Sequence, residues 1–154
     1  AGAALSNGVV RARTASRSAS AFFTAGRSLI SATQRAMFGS FATGGNGSIF
    51  RIDISTGYAT CLGTPIADRP SRLSSMKLGR DGAAYGVAGM LGECQLIRFD
   101  PAAGRYELLG AVRDGDASCW QIHDVAVTPD GTIYACENDN PHRSSYLWEI
   151  SEIG

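Results

Sequence analysis

Apolar and polar residues alternate along two short stretches of the chain, "SIFRIDI" at 48–54 and "QLIRFD" at 95–100. A period of two residues is typical of β-strands that bury one face. Each stretch runs into a turn, "DISTG" or "DPAAG", whose early Asp or Pro and late Gly favour a tight reversal of the chain. Outside the Ala-rich N-terminal part, no segment carries the 3.6-residue stripe of an amphipathic helix. The pattern therefore predicts an all-β protein.

One sequence motif occurs twice in the chain. "FRIDISTGYATCLG" at 50–63 matches "IRFDPAAGRYELLG" at 97–110 with an offset of 47 residues, and "RDGAAYG" at 80–86 matches "PDGTIYA" at 129–135 with an offset of 49. Self-similarity with a period of about 40 to 50 residues indicates a propeller or a solenoid. We predict strands near 28–32, 36–42, 48–54, 58–62, 73–78, 83–88, 95–99, 105–109, 122–128, 132–137 and 145–150. Four strands per repeat make one propeller blade.

The repeated signature DG-x-x-Y-G, followed by R-F-D-P-x-x-G and L-G, resembles the blades of bacterial β-propellers of the kelch and quinoprotein-like kind. It is also similar to the blades of propeller polysaccharide lyases such as the oligogalacturonate lyases. The resemblance covers roughly residues 27–150 and implies an all-β propeller fold. Its motifs are turn and packing signals, so they bring no catalytic residue with them.

The repeats divide the chain into blades at 27–63, 73–110 and 120–150, preceded by a basic segment, 1–26, that fits no blade well. The third blade lacks its outermost strand. "GVVR" at 8–11 resembles "GAVR" at 110–113, which follows an outermost strand. We therefore expect the N-terminal stretch to supply the missing strand of the third blade.

Three blades do not close a ring, because propellers typically have four to eight. Two explanations stay open. Either two copies form a six-bladed homodimer, or the chain is part of a longer propeller whose other blades come from elsewhere.

The composition of the chain argues against several classes of function. The chain has 154 residues, 18% of them charged, 19 glycines and a formal net charge of zero, which is typical of a single globular domain. No apolar stretch reaches the roughly 18 to 20 residues of a membrane helix, so we expect no membrane span. The N-terminal part is Arg-rich and poor in acidic residues, like a transit peptide or a basic arm. The balanced charge and the lack of lysine and interleaved aromatics there argue against nucleic acid. No secretory signal is visible, and the localisation stays open, export included.

Four cysteines, Cys61, Cys94, Cys119 and Cys136, show no C-x-x-C spacing. Each lies in or beside an apolar run, which favours buried reduced thiols. One disulfide is compatible with an exported chain.

The least repeat-like segments are "CWQIHD" at 119–124 and "ENDNPHRSS" at 137–145. In a blade, the loop after the second strand and the connection into the first strand share one face, so these segments should meet there. They carry both histidines of the chain, and concave propeller mouths are common ligand sites. The candidate residues are His123, His142 and Arg143 for catalysis, Trp120, Asp124 and Asn138 for ligand binding, and Glu137 and Asp139 for a divalent cation.

Each candidate also has a structural interpretation. His123 would hydrogen-bond the backbone of a neighbouring blade, and Trp120 would pack between blades. Asn138 and Asp139 suit an Asx turn. Arg143 would form an ion pair with Asp139 or Glu137.

Two functions follow from the cluster. The first is a non-catalytic propeller scaffold or binding module, with carbohydrate among the ligands that a stacking Trp120 favours. The alternative is a carbohydrate-active enzyme resembling a uronate polysaccharide lyase. In it, Arg143 or a cation held by Glu137 and Asp139 would neutralise the substrate carboxylate. His123 or His142, with a carboxylate such as Asp124 nearby, would remove the adjacent proton. The sequence does not decide whether the protein is an enzyme.

The strand pattern also predicts the core. We expect mostly buried side chains at Ile49, Ile52, Leu73, Leu78, Tyr85, Leu96, Phe99, Leu108, Ile122, Val125, Val127, Ile133, Tyr134, Leu147 and Ile150.

Overall fold

A computed structural model describes residues 47–150 in full, together with the backbone of 9–14, 29–31, 36–40 and 151–152. The regular elements in these ranges are all β-strands, which confirms the all-β prediction. In chain order they are β1 (Val9–Thr14), β2 (Leu29–Ser31), β3 (Ala36–Ser40), β4 (Ile49–Asp53), β5 (Ala59–Gly63), β6 (Leu73–Leu78), β7 (Ala84–Ala88), β8 (Gln95–Asp100), β9 (Arg105–Asp114), β10 (Ala117–Ser118), β11 (Ile122–Val127), β12 (Ile133–Glu137) and β13 (Leu147–Glu152).

These strands form three successive antiparallel meanders. β2 to β5 make the first, which is a separate four-stranded sheet; β6 to β9 make the second; β11 to β13 make the third. Each strand of a meander pairs with the next along the chain. All eleven predicted strands are present with ends within two residues of the prediction, except that β9 continues to Asp114.

β1 lies beside the last strand of the third meander. It pairs antiparallel with β13, where Thr14 faces Trp148, and parallel with the end of β9, where Val10 faces Val112. The N-terminal stretch therefore supplies a fourth strand to the third meander, as its resemblance to 110–113 predicts. This pairing also joins the second and third meanders into a nine-stranded sheet. The rest of the segment 1–26 lies outside the described residues.

Repeated Asp and Gly residues build the turns. In the β8–β9 turn, the Asp100 Oδ1 accepts hydrogen bonds from the N–H groups of Ala102 and Ala103 at 2.8 and 3.1 Å. Gly104 then adopts a φ of +64°, a conformation that glycine reaches without strain. Asp53 and Gly57 repeat this arrangement in the β4–β5 turn. The matching stretches at 50–63 and 97–110 therefore encode the same Asx turn in two hairpins.

The apolar core forms two clusters, one on each side of the second meander. One lies between the second and third meanders and contains Val87, Leu96, Val112, Ile133, Trp148 and Ile150. The other lies between the first and second and contains Ile49, Ile66, Leu73, Met76, Ile97 and Phe99. The second meander is thus held between the first and the third by apolar side chains on both of its faces.

The core prediction is mostly confirmed. Eight of the fifteen positions are buried, namely Ile49, Leu73, Leu96, Phe99, Ile122, Val125, Ile133 and Ile150. Six are half-buried: Ile52, Tyr85, Leu108, Val127, Tyr134 and Leu147. The prediction is wrong for Leu78, which is 52% exposed because it is the last residue of β6, next to the turn. Trp148 is fully buried and was not in the predicted core.

The second and third meanders have the same orientation, so that their equivalent hairpin turns lie at the same end of the molecule. β6 lies against β11, where Lys77 forms an ion pair with Asp124. At the hairpin turns that follow these strands, an Nη of Arg80 donates to the Pro129 carbonyl at 3.4 Å. The opposite end of both meanders carries residues 69–72, 89–94, 118–121 and 137–146, and we call it the loop end. The described residues include no helix with the length and apolar character needed to cross a membrane.

Candidate functional site

Three backbone hydrogen bonds assemble the loop end. The N–H of Gly89 donates to the Arg72 carbonyl at 2.9 Å, and the N–H of Asn138 donates to the Gln121 carbonyl at 3.1 Å. These two bonds occupy equivalent places in successive repeats, since both pairs are related by 49 residues. A third bond, from Gly92 to the Trp120 carbonyl at 3.2 Å, connects the two repeats. The segments 119–124 and 137–145 thus meet, as predicted.

Glu137 is the centre of this arrangement. Its carboxylate has no exposed surface and accepts hydrogen bonds from Arg143 Nη1 at 2.6 Å and Nη2 at 3.1 Å. The backbone N–H groups of Trp120 and Tyr146 donate to it at 2.7 and 2.9 Å, and the Asn140 amide donates at 3.1 Å. Five donors on one carboxylate satisfy a buried charge that would otherwise be very costly.

The electrostatics of Glu137 follow from these contacts. Burial acts to raise the pKa of its carboxyl group, but the hydrogen bonds from Arg143 and from the backbone outweigh it. The pKa therefore lies below its ordinary value of 4.5. Glu137 is therefore ionised at neutral pH and serves as the buried partner of Arg143.

The side chain of Arg143 also makes several contacts within the protein. Besides its two bonds to Glu137, it donates to the carbonyls of Ser144 and Ser118, both at 3.0 Å. Its guanidinium carbon lies 3.6 Å from the centre of the Tyr146 ring, a cation–π distance. Of the two pairings expected from the sequence, the one with Glu137 is present. Binding a substrate carboxylate through Arg143 would require breaking this network.

Trp120 and His142 form the aromatic part of the loop end. Their ring centres are 5.2 Å apart and their planes are inclined by 82°, an edge-to-face contact. Trp120 is half-buried, while His142 is exposed. The backbone N–H of His142 donates to the Asn140 Oδ1 at 2.9 Å. A ligand at the loop end can therefore reach an exposed imidazole beside an aromatic ring.

Asn138 and Asp139 form a tight turn after β12. Asp139 has a φ of +54°, a left-handed conformation that Asp tolerates. Its Oδ2 accepts hydrogen bonds from the Gln121 amide at 3.0 Å and the Asn138 amide at 2.6 Å. The Oδ1 of Asn138 is buried without a hydrogen-bond partner, so one buried acceptor is left for another molecule or a water.

The predicted cation site consists of Glu137 and Asp139. Glu137 uses its oxygens on Arg143, Asn140 and backbone N–H groups, and Asp139 accepts from Gln121 and Asn138. Within the described ranges, no three His, Cys, Asp or Glu side chains are grouped so as to hold a metal ion. Among the described residues, the pair therefore has no third His, Cys, Asp or Glu side chain beside it.

His123 and Asp124 lie on β11, below the loops. A β-bulge between Ile122 and Asp124 makes His123 the extra residue of the strand, and its side chain is exposed. Asp124 turns toward the second meander, where Lys77 Nζ lies 3.1 Å from its Oδ1. Burial acts to raise the pKa of Asp124, but hydrogen bonds from Ser75 and Lys77 outweigh this and lower it. Asp124 therefore does not join the cluster around Glu137.

Sequence reasoning missed three residues at the start of β6. Ser71 Oγ, Arg72 Nε and Ser74 Oγ are buried and have no hydrogen-bond partner. A signal was present in the repeat. Arg72 occupies the place of Gln121, but Met90 occupies the place of Asp139, the carboxylate to which Gln121 donates. The described residues accordingly offer Arg72 no ion-pair partner.

A concave region lies away from the loop end. It is a groove of about 460 Å³ beside the β4–β5 hairpin, lined by Arg51, Asp53, Thr56, Tyr58 and Thr60. Asp53 is occupied there by its own turn, through hydrogen bonds from Ser55 and Thr56. The groove contains none of the residues that the sequence selected.

No protein-family model matches the chain, and no curated protein matches it at a significant level.

Proposed function

We propose that the three meanders are β-propeller blades and that the chain is a binding module whose ligand site is the loop end. Four observations support the blades: the repeat, the succession of antiparallel meanders, the completion of the third meander by β1, and the two core clusters on opposite faces of the second meander. Contact between β6 and β11 is what innermost strands of adjacent blades make. In this arrangement, two copies of the chain complete a six-bladed ring, or a longer propeller supplies the other blades.

The observation that carries the ligand site is three buried polar atoms without a hydrogen-bond partner, Ser71 Oγ and Arg72 Nε at the loop end and Ser74 Oγ in the adjoining start of β6. Buried polar atoms in proteins are nearly always hydrogen-bonded, so three on neighbouring residues call for a partner. A guanidinium and two hydroxyl groups are donors that suit an anion, above all a carboxylate. Trp120 and His142 lie at the same end and offer an aromatic edge. We therefore propose an acidic carbohydrate as the ligand class.

Titration calorimetry with an oligogalacturonate and with a neutral oligosaccharide of equal length tests this function. We expect binding of the acidic ligand only. Arg72→Gln installs the residue that the third repeat has at this place, and it should weaken binding at least tenfold, because a hydrogen bond to a charged group contributes about 1.5 to 3 kcal/mol. Arg105→Gln is the matched control, since Arg105 is exposed at the other end of the second meander.

Two results would contradict the proposal. One is equal affinity for the acidic and the neutral oligosaccharide. The other is the same loss of affinity in Arg72→Gln and Arg105→Gln, which would indicate only a general effect of net charge.

Lyase activity is the second candidate, and the exposed imidazole of His142 beside Trp120 favours it. In a uronate lyase, a base removes the proton next to the carboxylate carbon, and the glycosidic C–O bond at the following carbon breaks. Because Arg143 is held by Glu137, the neutralising role passes to Arg72. The ultraviolet absorbance of the unsaturated product measures the activity, with His142→Ala and His123→Ala identifying the base. Binding without any product would leave the binding module as the function.

A further inference from the structure

Cys94 and Cys119 meet at one residue of β9. The N–H of Val112 donates to the Cys94 carbonyl at 2.9 Å, and the N–H of Cys119 donates to the Val112 carbonyl at 3.0 Å. The N–H and the carbonyl of one strand residue point to the same side of the strand. Both cysteines therefore lie on the same side of Val112, one immediately before β8 and the other immediately after β10.

The strand registers give the same result. Gln95 pairs with Ala111, and Ser118 pairs with Arg113, so β8 and β10 lie end to end along β9. The gap between them is filled by the two cysteines. Residues that are 25 positions apart in the sequence thus become neighbours in the sheet.

The two side chains are buried together. Cys94 is 2% exposed, Cys119 is 0% exposed, and both belong to the core cluster between the second and third meanders. The interaction of the two side chains, together with burial, raises the pKa of Cys119 far above its ordinary value. The other two cysteines differ, because Cys61 is exposed and Cys136 is only half-buried.

Gly89 shapes the chain around this pair. It has a φ of +116°, and a Cβ atom there would lie 2.5 Å from the Glu93 carbonyl oxygen and 2.9 Å from the Cys94 Cα. Only glycine lets the loop after β7 close so tightly on the residues that lead into β8. The position of Cys94 is thus fixed by backbone packing and not only by its own side chain.

We propose that Cys94 and Cys119 are a redox-convertible pair that forms an intrachain disulfide. The oxidant is a disulfide compound such as oxidised glutathione. One cysteine, as a thiolate, attacks the oxidant, which forms a mixed disulfide and releases one glutathione thiolate. The other cysteine then attacks the mixed disulfide and releases the second glutathione. The dithiol loses two protons and two electrons, and the oxidant is reduced to two thiols.

The cross-link acts on the loop end through the neighbours of Cys119. The Ser118 carbonyl accepts a hydrogen bond from Arg143, and the Trp120 N–H donates one to Glu137. A disulfide would tie this segment covalently to the start of β8. Because both thiols are buried, the exchange requires transient opening of the residues around β10, and it should be slow in the native protein. This inference is independent of the ligand proposed above.

Mass spectrometry of the intact chain tests the proposal. The protein is equilibrated in buffers with increasing ratios of oxidised to reduced glutathione, with and without mild urea, and is then alkylated with N-ethylmaleimide. We expect a loss of about 2 Da, two hydrogen atoms, before alkylation. Peptide mapping should show one disulfide, between the peptides of Cys94 and Cys119, with Cys61 and Cys136 alkylated.

Variants make the assignment specific. The double variant Cys61→Ala/Cys136→Ala should still form the cross-link, and Cys94→Ala or Cys119→Ala should abolish it. Because a core cysteine variant can fail to fold, the peptide map of the natural sequence decides the matter by itself. Separate alkylation of Cys94 and Cys119 at every glutathione ratio, even in mild urea, would overturn the proposal. So would a predominance of disulfides that include Cys61 or Cys136.

Discussion

Arg143 donates both of its Nη groups to the carboxylate of Glu137, at 2.6 Å to Oε2 and at 3.1 Å to Oε1. The carboxylate is completely shielded from solvent, and the arginine side chain is 22% exposed. This pair fastens the loop after β12 to the segment before β11. It holds Trp120 in place through the carboxylate and not through apolar packing alone.

Replacing Glu137 by Gln should destabilise the protein strongly. The variant keeps the shape but leaves the Arg143 cation without its buried partner, and breaking such a pair costs about 3 to 5 kcal/mol. Urea denaturation measures the change in the free energy of unfolding. Glu107→Gln is the matched control, because Glu107 is 58% exposed and lies 3.6 Å from Arg98. It should cost less than about 1 kcal/mol. Similar losses in both variants would contradict a structural role for Glu137.

The same carboxylate should make stability depend on pH. The folded-state pKa of Glu137 is lowered from 4.5, so below pH 4.5 the unfolded chain takes up a proton before the folded chain does. The stabilisation by Glu137 is therefore complete above this value and is lost as the pH falls toward the folded-state pKa. Thermal denaturation between neutral and acidic pH should show a steeper decline for the natural sequence than for Glu137→Gln. Parallel curves would contradict this assignment.

Leu96 and Leu78 should respond differently to truncation. Leu96 is fully buried between the second and third meanders, and Leu96→Ala should cost about 2 to 5 kcal/mol. Leu78 is exposed at the end of β6, and Leu78→Ala should stay within about 0.5 kcal/mol of the natural sequence. Chemical denaturation of the two variants side by side checks the register. The reverse order would show that the strand faces are assigned wrongly.

Removal of β1 should expose two strand edges. Deletion of residues 1–14 leaves β13 and the end of β9 without their partner, so the midpoint of thermal unfolding should fall. A synthetic peptide of residues 6–16, added in excess, should restore it by refilling the vacant place. The same peptide with Val10→Pro should not, because proline has no N–H to donate. An unchanged midpoint after the deletion would contradict the pairing.

The propeller proposal predicts a specific assembly. If two copies close a six-bladed ring, light scattering should give twice the chain mass of 16.1 kDa over a wide dilution series. The seams between the copies should be as apolar as the contacts between meanders, so dissociation should accompany unfolding. A folded monomer at every concentration would contradict the homodimer and leave the longer propeller as the explanation.

The strands were predictable because equivalent hairpins of successive repeats share their turn chemistry. Asp100 and Gly104 set the end of one strand and the start of the next, and Asp53 and Gly57 do the same one repeat earlier. Alternation alone was less reliable on β6. A bulge between Leu73 and Met76 shifts the pattern by one residue there, so that Met76 joins the core.

The location of the candidate site could be predicted from the sequence, but the contacts between its side chains could not. The two segments that break the repeat do meet, because the fold brings these loops together wherever they occur. The carboxylate that pairs with Arg143 is decided by the tertiary structure and not by the sequence spacing. Glu137 is buried beside Arg143, whereas Asp139 accepts a hydrogen bond from Gln121 and Asp124 pairs with Lys77. Unsatisfied atoms such as Arg72 Nε appear only when the neighbours of a residue are known.

Pairing of β1 with β13 also bears on how the protein folds. Thr14 and Trp148 face each other across this ladder although they are 134 residues apart in the sequence, whereas most other ladders join adjacent hairpin strands. Closing so long a loop carries a large entropic cost, so the meanders should form early and this ladder late. Mutations that weaken it should then accelerate unfolding more than they slow folding. The kinetic lifetime of the native state would be set at the strand that is first in the chain and last to dock.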